Sequence, residues 1–219
     1  MLRSSIGKKI VMALSGLVLV GFIIGHLLGN LLIFNGPDAL NAYALKLRHL
    51  GPLLWAARGF LLLAVLAHIT TSMELAIENR RARPQAYRMQ RHAETTPAAR
   101  LMVVSGLLVL AYLSYHLLHF TFRVTNPDLS HSVDALGRHD VYSMVVRSFQ
   151  HAPIALAYVA GMAFVCLHLS HGVASAFQTL GLTNERTLPV LSWSSRLFAV
   201  AVFLGYSAIP VAILVGAVR

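Results

Sequence analysis

Five stretches of this chain are long and apolar enough to cross a bilayer, and that bounds the fold before any single residue is considered. A spanning helix needs about 20 mostly apolar residues. The stretches run Ile10–Phe34, Leu53–Ile77, Leu101–Phe122, Ile154–Leu180 and Leu197–Val218. Only helices and closed barrels satisfy every backbone polar group inside a membrane. Runs of this length predict an all-α integral membrane bundle of five transmembrane helices. The spans use up most of the 219 residues, so residues 1–219 are expected to form a single transmembrane domain with no separate soluble unit.

The net charge of +10 does not point to nucleic acid, because the basic residues sit in the loops beside the spans. Basic residues favour cytoplasmic loops. With the N-terminus inside, the inside segments hold eleven: Arg3, Lys8, Lys9, Arg80, Arg81, Arg83, Arg88, Arg91, Arg100, Arg186 and Arg196. The outside segments hold seven: Lys46, Arg48, Arg58, Arg123, Arg138, Arg147 and Arg219. The bias predicts an inside N-terminus and an outside C-terminus. The arginine-rich loop between spans two and three serves as a topology signal and is also a candidate docking surface for a soluble partner. The first apolar run is too long for a signal-peptide core and no small-residue cleavage site follows it, so it reads as a retained helix. Cys166 stands alone, which excludes a disulfide framework or an iron–sulfur site built by this chain.

Loop chemistry punctuates the spans. Asn35-Gly36-Pro37-Asp38 ends the first, Gly51-Pro52 opens the second, Thr96-Pro97 precedes the third, and Thr183-Asn184 with Pro189 separate the fourth and fifth. Residues 141–149 are amphipathic and are expected to lie on the outer surface. No low-complexity tract and no repeat of useful strength stands out.

Histidine gives the bundle its chemistry. His26, His68, His116 and His168 each lie well inside a span, where an ionisable side chain is expensive and rarely kept without a task. A rise of about 1.5 Å per residue converts position to depth. Spans one and three run outward and bring His26 and His116 to a similar outer depth. Spans two and four run inward and bring His68 and His168 to a similar inner depth. Depth alone therefore sorts the four into His26/His116 and His68/His168, the ligand sets that two bis-histidine haems require. A hexacoordinate haem has no open position and suits electron transfer. His119 and His171 follow His116 and His168 by three residues on broadly the same helix side, and remain rival ligands. Gly21, Gly25 and Gly29 permit close approach of a helix or a flat macrocycle. Ser15 and Gln178, near inner span ends, are candidates for bonding haem propionates, and Glu74 reads as a rim residue. Without haem, the same histidines would only hydrogen-bond between helices of an anchor or transporter.

The run Ala13-Leu14-Ser15-Gly16-Leu17, with Lys9 ahead of it and Gly25-His26-Leu27-Leu28-Gly29-Asn30-Leu31 after it, resembles the first helix of the succinate dehydrogenase/fumarate reductase cytochrome b subunit. The resembled branch is a single-subunit, five-helix, two-haem anchor. Tyr115-His116-Leu117-Leu118-His119-Phe120-Thr121-Phe122 resembles its third helix. His168-Leu169-Ser170-His171-Gly172, with Ser175-Ala176-Phe177-Gln178-Thr179-Leu180-Gly181, resembles its fourth. The resemblance implies two haem b and a bacterial-type inner (cytoplasmic) membrane. It implies partnership with an iron–sulfur subunit and an FAD-bearing flavoprotein, which hold the FAD and iron–sulfur clusters. It also implies electron exchange with a membrane quinone, often menaquinone, in a succinate:quinone oxidoreductase of the respiratory chain and tricarboxylic acid cycle. This subunit would do no succinate chemistry itself. Asn41, Tyr43, Arg48, His49 and His119 are the candidates for contact with quinone near the outer haem. An anchor of another two-haem respiratory oxidoreductase fits the histidines equally. The intramembrane carboxylate of some relatives has no clear counterpart beside His168, where Leu167 and Leu169 flank the ligand.

Overall fold

The computed structural model describes residues 4–82, 97–125, 127–129 and 132–219. Arg3 and the arginines at 83, 88 and 91 lie outside the described residues, and with them most of the loop considered as a docking surface. Among the described residues helix is the only regular structure, apart from one isolated antiparallel bridge between Val133 and His139. In chain order the helices are α1 (Ser5–Asn30), α2 (Pro37–His49), α3 (Pro52–Arg81), α4 (Pro97–Arg100), α5 (Met102–His116), α6 (Val141–Phe149), α7 (Ala152–Thr179) and α8 (Thr187–Leu214). Among the described residues five segments are long and apolar enough to cross a membrane: Ser5–Asn35, Pro52–Arg81, Met102–Thr121, Ala152–Thr179 and Thr187–Leu214. The fold is an all-helical bundle of the multi-pass membrane type.

Local chemistry accounts for most boundaries. Ser4 caps α1 by accepting a hydrogen bond from the Gly7 amide at 3.1 Å. The end of α1 tightens into a 3₁₀ turn over Leu31–Asn35, and Gly36, at φ +93°, lets the chain reverse where an L side chain would be strained. The stretch that follows is a helix as well as a turn. Pro37 begins α2, Asp38 lies in its first turn, and Lys46, Arg48 and His49 fill its last, an arrangement matched to the helix dipole.

The fifth span starts ten residues earlier than the sequence suggested, at Thr187 rather than Leu197. Asn184 prepares this start, its Oδ1 accepting from the amides of Arg186 and Thr187 at 3.0 Å each. Pro189 falls in the first turn, where its missing N–H leaves no helical bond unmade. Arg196 remains helical, with its guanidinium over the Trp193 ring at 5.3 Å.

Helices α7 and α8 form the tightest pair, α1 packs on α3 and α7, and α5 packs on α7. Small buried residues let α7 and α8 approach closely, among them Ala155 on one and Ser195 and Ala199 on the other. Close contact replaces the hydrophobic drive that lipid cannot supply. The amphipathic segment at 141–149 is α6, and it is more than a surface helix. Met144, Val145, Val146, Ser148 and Phe149 are buried, and three of them join a cluster with Ile33, Leu40, Tyr158 and Ile209. Together α6 and α2 cap the end of the bundle away from the N-terminus. Asn41 pins that cap at 1% exposure: its amide nitrogen donates to Asp134 and Asp140, and its oxygen accepts from the Tyr142 amide. Arg138 closes it with ion pairs to Asp38 at 2.8 Å and Asp134 at 2.7 Å. At the opposite end Lys8 joins α1 to α3 through Glu74, at 2.8 Å, and Glu78.

Candidate functional site: two opposed imidazole pairs

The four intramembrane histidines lie on four different helices: His26 on α1, His68 on α3, His116 at the end of α5 and His168 on α7. They meet in two pairs. The rings of His26 and His116 are 6.0 Å apart between centroids and cross at 82°, and those of His68 and His168 are 6.2 Å apart and cross at 73°. Within each pair the two helices are not close-packed neighbours, since α1 packs on α3 and α5 on α7. The imidazoles therefore reach toward each other from helices that do not pack directly, α1 and α5 in one pair and α3 and α7 in the other, while α1 also packs on α7. Among the described residues no three His, Cys, Asp or Glu side chains converge, so the strong donors come two at a time, one from each of two helices.

The His68/His168 pair is held by hydrogen bonds that fix its tautomers. His68 Nδ1 lies 3.0 Å from the Met12 carbonyl oxygen. A carbonyl only accepts, so Nδ1 carries the proton and the Nε2 lone pair is left bare. His168 Nδ1 lies 3.2 Å from Ser105 Oγ. That hydroxyl donates its own proton to the Met102 carbonyl at 3.1 Å, so it accepts from Nδ1–H, and again Nε2 is bare. A glycine stands beside each ring. A Cβ on Gly16 would fall 3.2 Å from His68 Cε1, and one on Gly106 would fall 3.4 Å from His168 Cε1.

The His26/His116 pair is set among aromatic rings. Phe22 stacks on His26 at 5.2 Å and 15°, and Tyr206 approaches it at 6.2 Å. Tyr112, Phe120 and Tyr158 surround His116 at 6.3, 5.8 and 5.9 Å. Gly161 admits Tyr112, whose ring would be only 2.2 Å from a Cβ there. His116 Nδ1 is buried with no hydrogen-bond partner among the described residues, an expensive state for a polar atom in an apolar interior.

The rival histidines take other places. After His116 the helix widens into a π turn over Leu117–Thr121, and His119, within that turn, packs apart from His26. His119 is 2% exposed, stacks on Phe120 at 4.1 Å, and meets the Tyr158 hydroxyl through Nδ1 at 2.9 Å. His171 is half-buried one turn beyond His168, and it is the His168 ring that faces His68. Ser15 is buried, donating to the Val11 and Met12 carbonyls at 2.7 and 3.1 Å, beside the His68 contact. Gln178 is exposed at the end of α7. No helix covers Gly21 or Gly25, whereas Gly29 lies against Tyr43. Of the residues considered for quinone contact, Asn41 is committed to the cap, and Arg48 and His49 are exposed.

Around His26/His116, Phe22, Tyr112, Tyr158 and Tyr206 escaped the sequence reading, and around His68/His168 the Met12 carbonyl, Ser105 and Gly106 did. The signal for Met12, Ser105 and Gly106 is an internal repeat, contrary to the expectation that the chain has none of useful strength. Met12, Ser15, Gly16, Leu17, His26, Leu27 and Leu28 recur 90 residues later as Met102, Ser105, Gly106, Leu107, His116, Leu117 and Leu118. Identical residues spread over five helical turns are diluted by variable lipid-facing positions, and only the shared contacts make the match visible. No protein-family profile matches the chain, and no curated protein or solved structure is significantly similar to it.

Proposed function

We propose that this chain is the two-haem cytochrome b membrane anchor of a succinate:quinone oxidoreductase, with His26/His116 and His68/His168 as the axial pairs. The observation that carries the reading is the separation of the paired rings. With a metal–imidazole bond of about 2 Å on each side, and roughly 1 Å from nitrogen to ring centre, coaxial ligands sit about 6 Å apart. The observed separations are 6.0 and 6.2 Å. Two opposed imidazoles leave the remaining metal positions to a macrocycle. The donor set fits haem b at both levels.

When bound, haem supplies one-electron chemistry without an open coordination position. The chain's own residues do the rest. Met12 and Ser105 orient one pair, the aromatic rings enclose the other, and the apolar helices exclude water. Gly16 and His26 are ten residues apart on α1, so the two pairs are offset by about 15 Å along the bundle and form a relay across the membrane. With the N-terminus inside the cytoplasmic membrane of a bacterial-type cell, His68/His168 is the pair nearer an iron–sulfur subunit and its FAD-bearing partner. His26/His116 is then the pair nearer quinone, and menaquinone is the expected species. The resemblance of the α1, α5 and α7 motifs to the succinate dehydrogenase/fumarate reductase anchor supports these partners.

The test is a dithionite-reduced minus oxidised spectrum of the purified chain with haem quantified, followed by purification of the native complex. Two haem b per chain and co-purifying flavin and iron–sulfur subunits with succinate:quinone activity are expected. Protein saturated with haem during expression that still lacks a Soret band would overturn the reading in favour of a haem-free anchor. Haem-loaded chain that purifies with a different oxidoreductase would reassign its partners.

A further inference from the structure

We infer that α1 and α5 are two copies of one ligand-positioning element, and that within it the Met12 carbonyl and Ser105 are the positioning groups for His68 and His168. The inference rests on the haem reading and names how this chain sets one of the two sites. Two independent observations carry it.

The first is the repeat. Each copy reads Met-x-x-Ser-Gly-Leu, followed by His-Leu-Leu with the histidine ten residues after the glycine. The two copies also share local geometry: Ser15 Oγ donates to the Met12 carbonyl and Ser105 Oγ to the Met102 carbonyl, both at 3.1 Å. The second observation is what each copy touches. Gly16 and Met12 of α1 receive His68 from α3, and Gly106 and Ser105 of α5 receive His168 from α7. In both copies the Ser-Gly step accepts a histidine from the paired helix, and the same helix offers its own histidine ten residues on.

Physical chemistry explains the step. A helical carbonyl already accepts from the amide four residues ahead, which for Met12 is that of Gly16. Ser15 Oγ divides its proton between the Val11 and Met12 oxygens, with the shorter contact to Val11, and the absence of a side chain on Gly16 leaves the Met12 carbonyl open to approach by a neighbouring ring. His68 uses it. In the second copy the serine hydroxyl takes the same role one atom further out. Outer-shell acceptors of this kind fix the tautomer and orientation of a ligating imidazole and raise its basicity. The more basic ligand favours the oxidised metal, so loss of the acceptor raises the potential of that site alone.

The experiment is a redox titration with electron paramagnetic resonance of the full chain, wild type against Ser105→Ala, with Ser105→Thr as the conservative rescue. The signal of the His68/His168 site is identified as the one missing in His68→Ala, and the His26/His116 signal serves as the folding control. In Ser105→Ala the first signal is expected to move up by about tenfold in the oxidised/reduced equilibrium, which is about 59 mV for one electron, or to lose its haem. The second signal stays fixed, and Ser105→Thr restores the first. An unchanged first signal, or equal shifts in both, overturns the inference while leaving the two-haem function intact. A wild-type chain without haem overturns the function and the inference with it. Should Ser105→Ala lose both signals, Gly16→Ala decides. That change crowds only the His68 ring, so a selective shift supports the inference and an unchanged site overturns it.

Discussion

The two imidazole pairs share helices α1, α5 and α7 yet are built by different means. His68 and His168 are fixed by directional hydrogen bonds from α1 and α5, and each ring rests against a glycine. His26 and His116 are fixed by shape, between Phe22, Tyr206, Tyr112, Phe120 and Tyr158, and His116 Nδ1 is left unbonded among the described residues. A hydrogen bond sets a ring's rotation and its tautomer together. Aromatic packing sets rotation only. The lesson is that a duplicated element yields two unlike sites, because each copy's Ser-Gly step serves the first pair and its distal histidine serves the second.

The comparison breaks most sharply if the pairs are not independent. His68→Ala and His26→Ala are each expected to remove a different one of two spectral signals completely. His168→Ala and His116→Ala should then repeat those losses in turn. If His26→Ala and His68→Ala removed the same signal, the pairing would be wrong.

Next in size is Gly161→Ala, which forces a methyl group into the Tyr112 ring. Overpacking of this kind costs about 1–3 kcal/mol. Its effect should fall on the His26/His116 signal through the Tyr112 contact, and the His68/His168 signal should persist. Thermal unfolding and difference spectra of the same sample read both.

A smaller effect is expected of His119→Phe. It leaves the Tyr158 hydroxyl without its imidazole partner, costing about 1 kcal/mol, while both haem signals remain. Loss of one signal would make His119 a ligand and contradict its packing apart from His26.

The smallest concerns the cap. Desolvation pushes the carboxyls of Asp134 and Asp140 upward. Hydrogen bonds from Arg138, the Leu136 amide and Asn41 to the first, and from Ser143 and Asn41 to the second, outweigh it and hold both below their ordinary value. The stabilisation is therefore complete above the ordinary carboxylate range and is lost as pH falls through the lowered values. Asn41→Ala should lower the melting temperature and narrow that acid tolerance, with both pairs unchanged. An unaltered pH profile would show that the cap is held elsewhere.

Particular residues show how far the sequence reaches. Spans one to four were legible to within a few residues because a bilayer imposes a length that an apolar run must meet. The start of the fifth was not, since Pro189 and Arg196 look like loop residues until Asn184 and Trp193 are seen to accommodate them. Helix α2 carried its caps in plain view, but its low hydrophobicity hid it between two membrane spans. The choice between His116 and His119 depends on a π turn, and that turn reflects how Phe120 and His119 pack on Tyr158, a residue 39 positions away from His119.

The sequence by itself determined that this chain is helical, apolar over five spans, and furnished with histidine at matched positions. Those properties follow from local composition and from a fixed rise per residue. Only the tertiary structure decided which ring faces which, which nitrogen of His68 and His168 keeps its proton, and that Met12, Ser105 and two glycines touch that pair. Orientation about a helix axis is set by neighbours distant in the chain, and a hydrogen bond of 3.0 Å between α1 and α3 leaves no trace in either helix read alone.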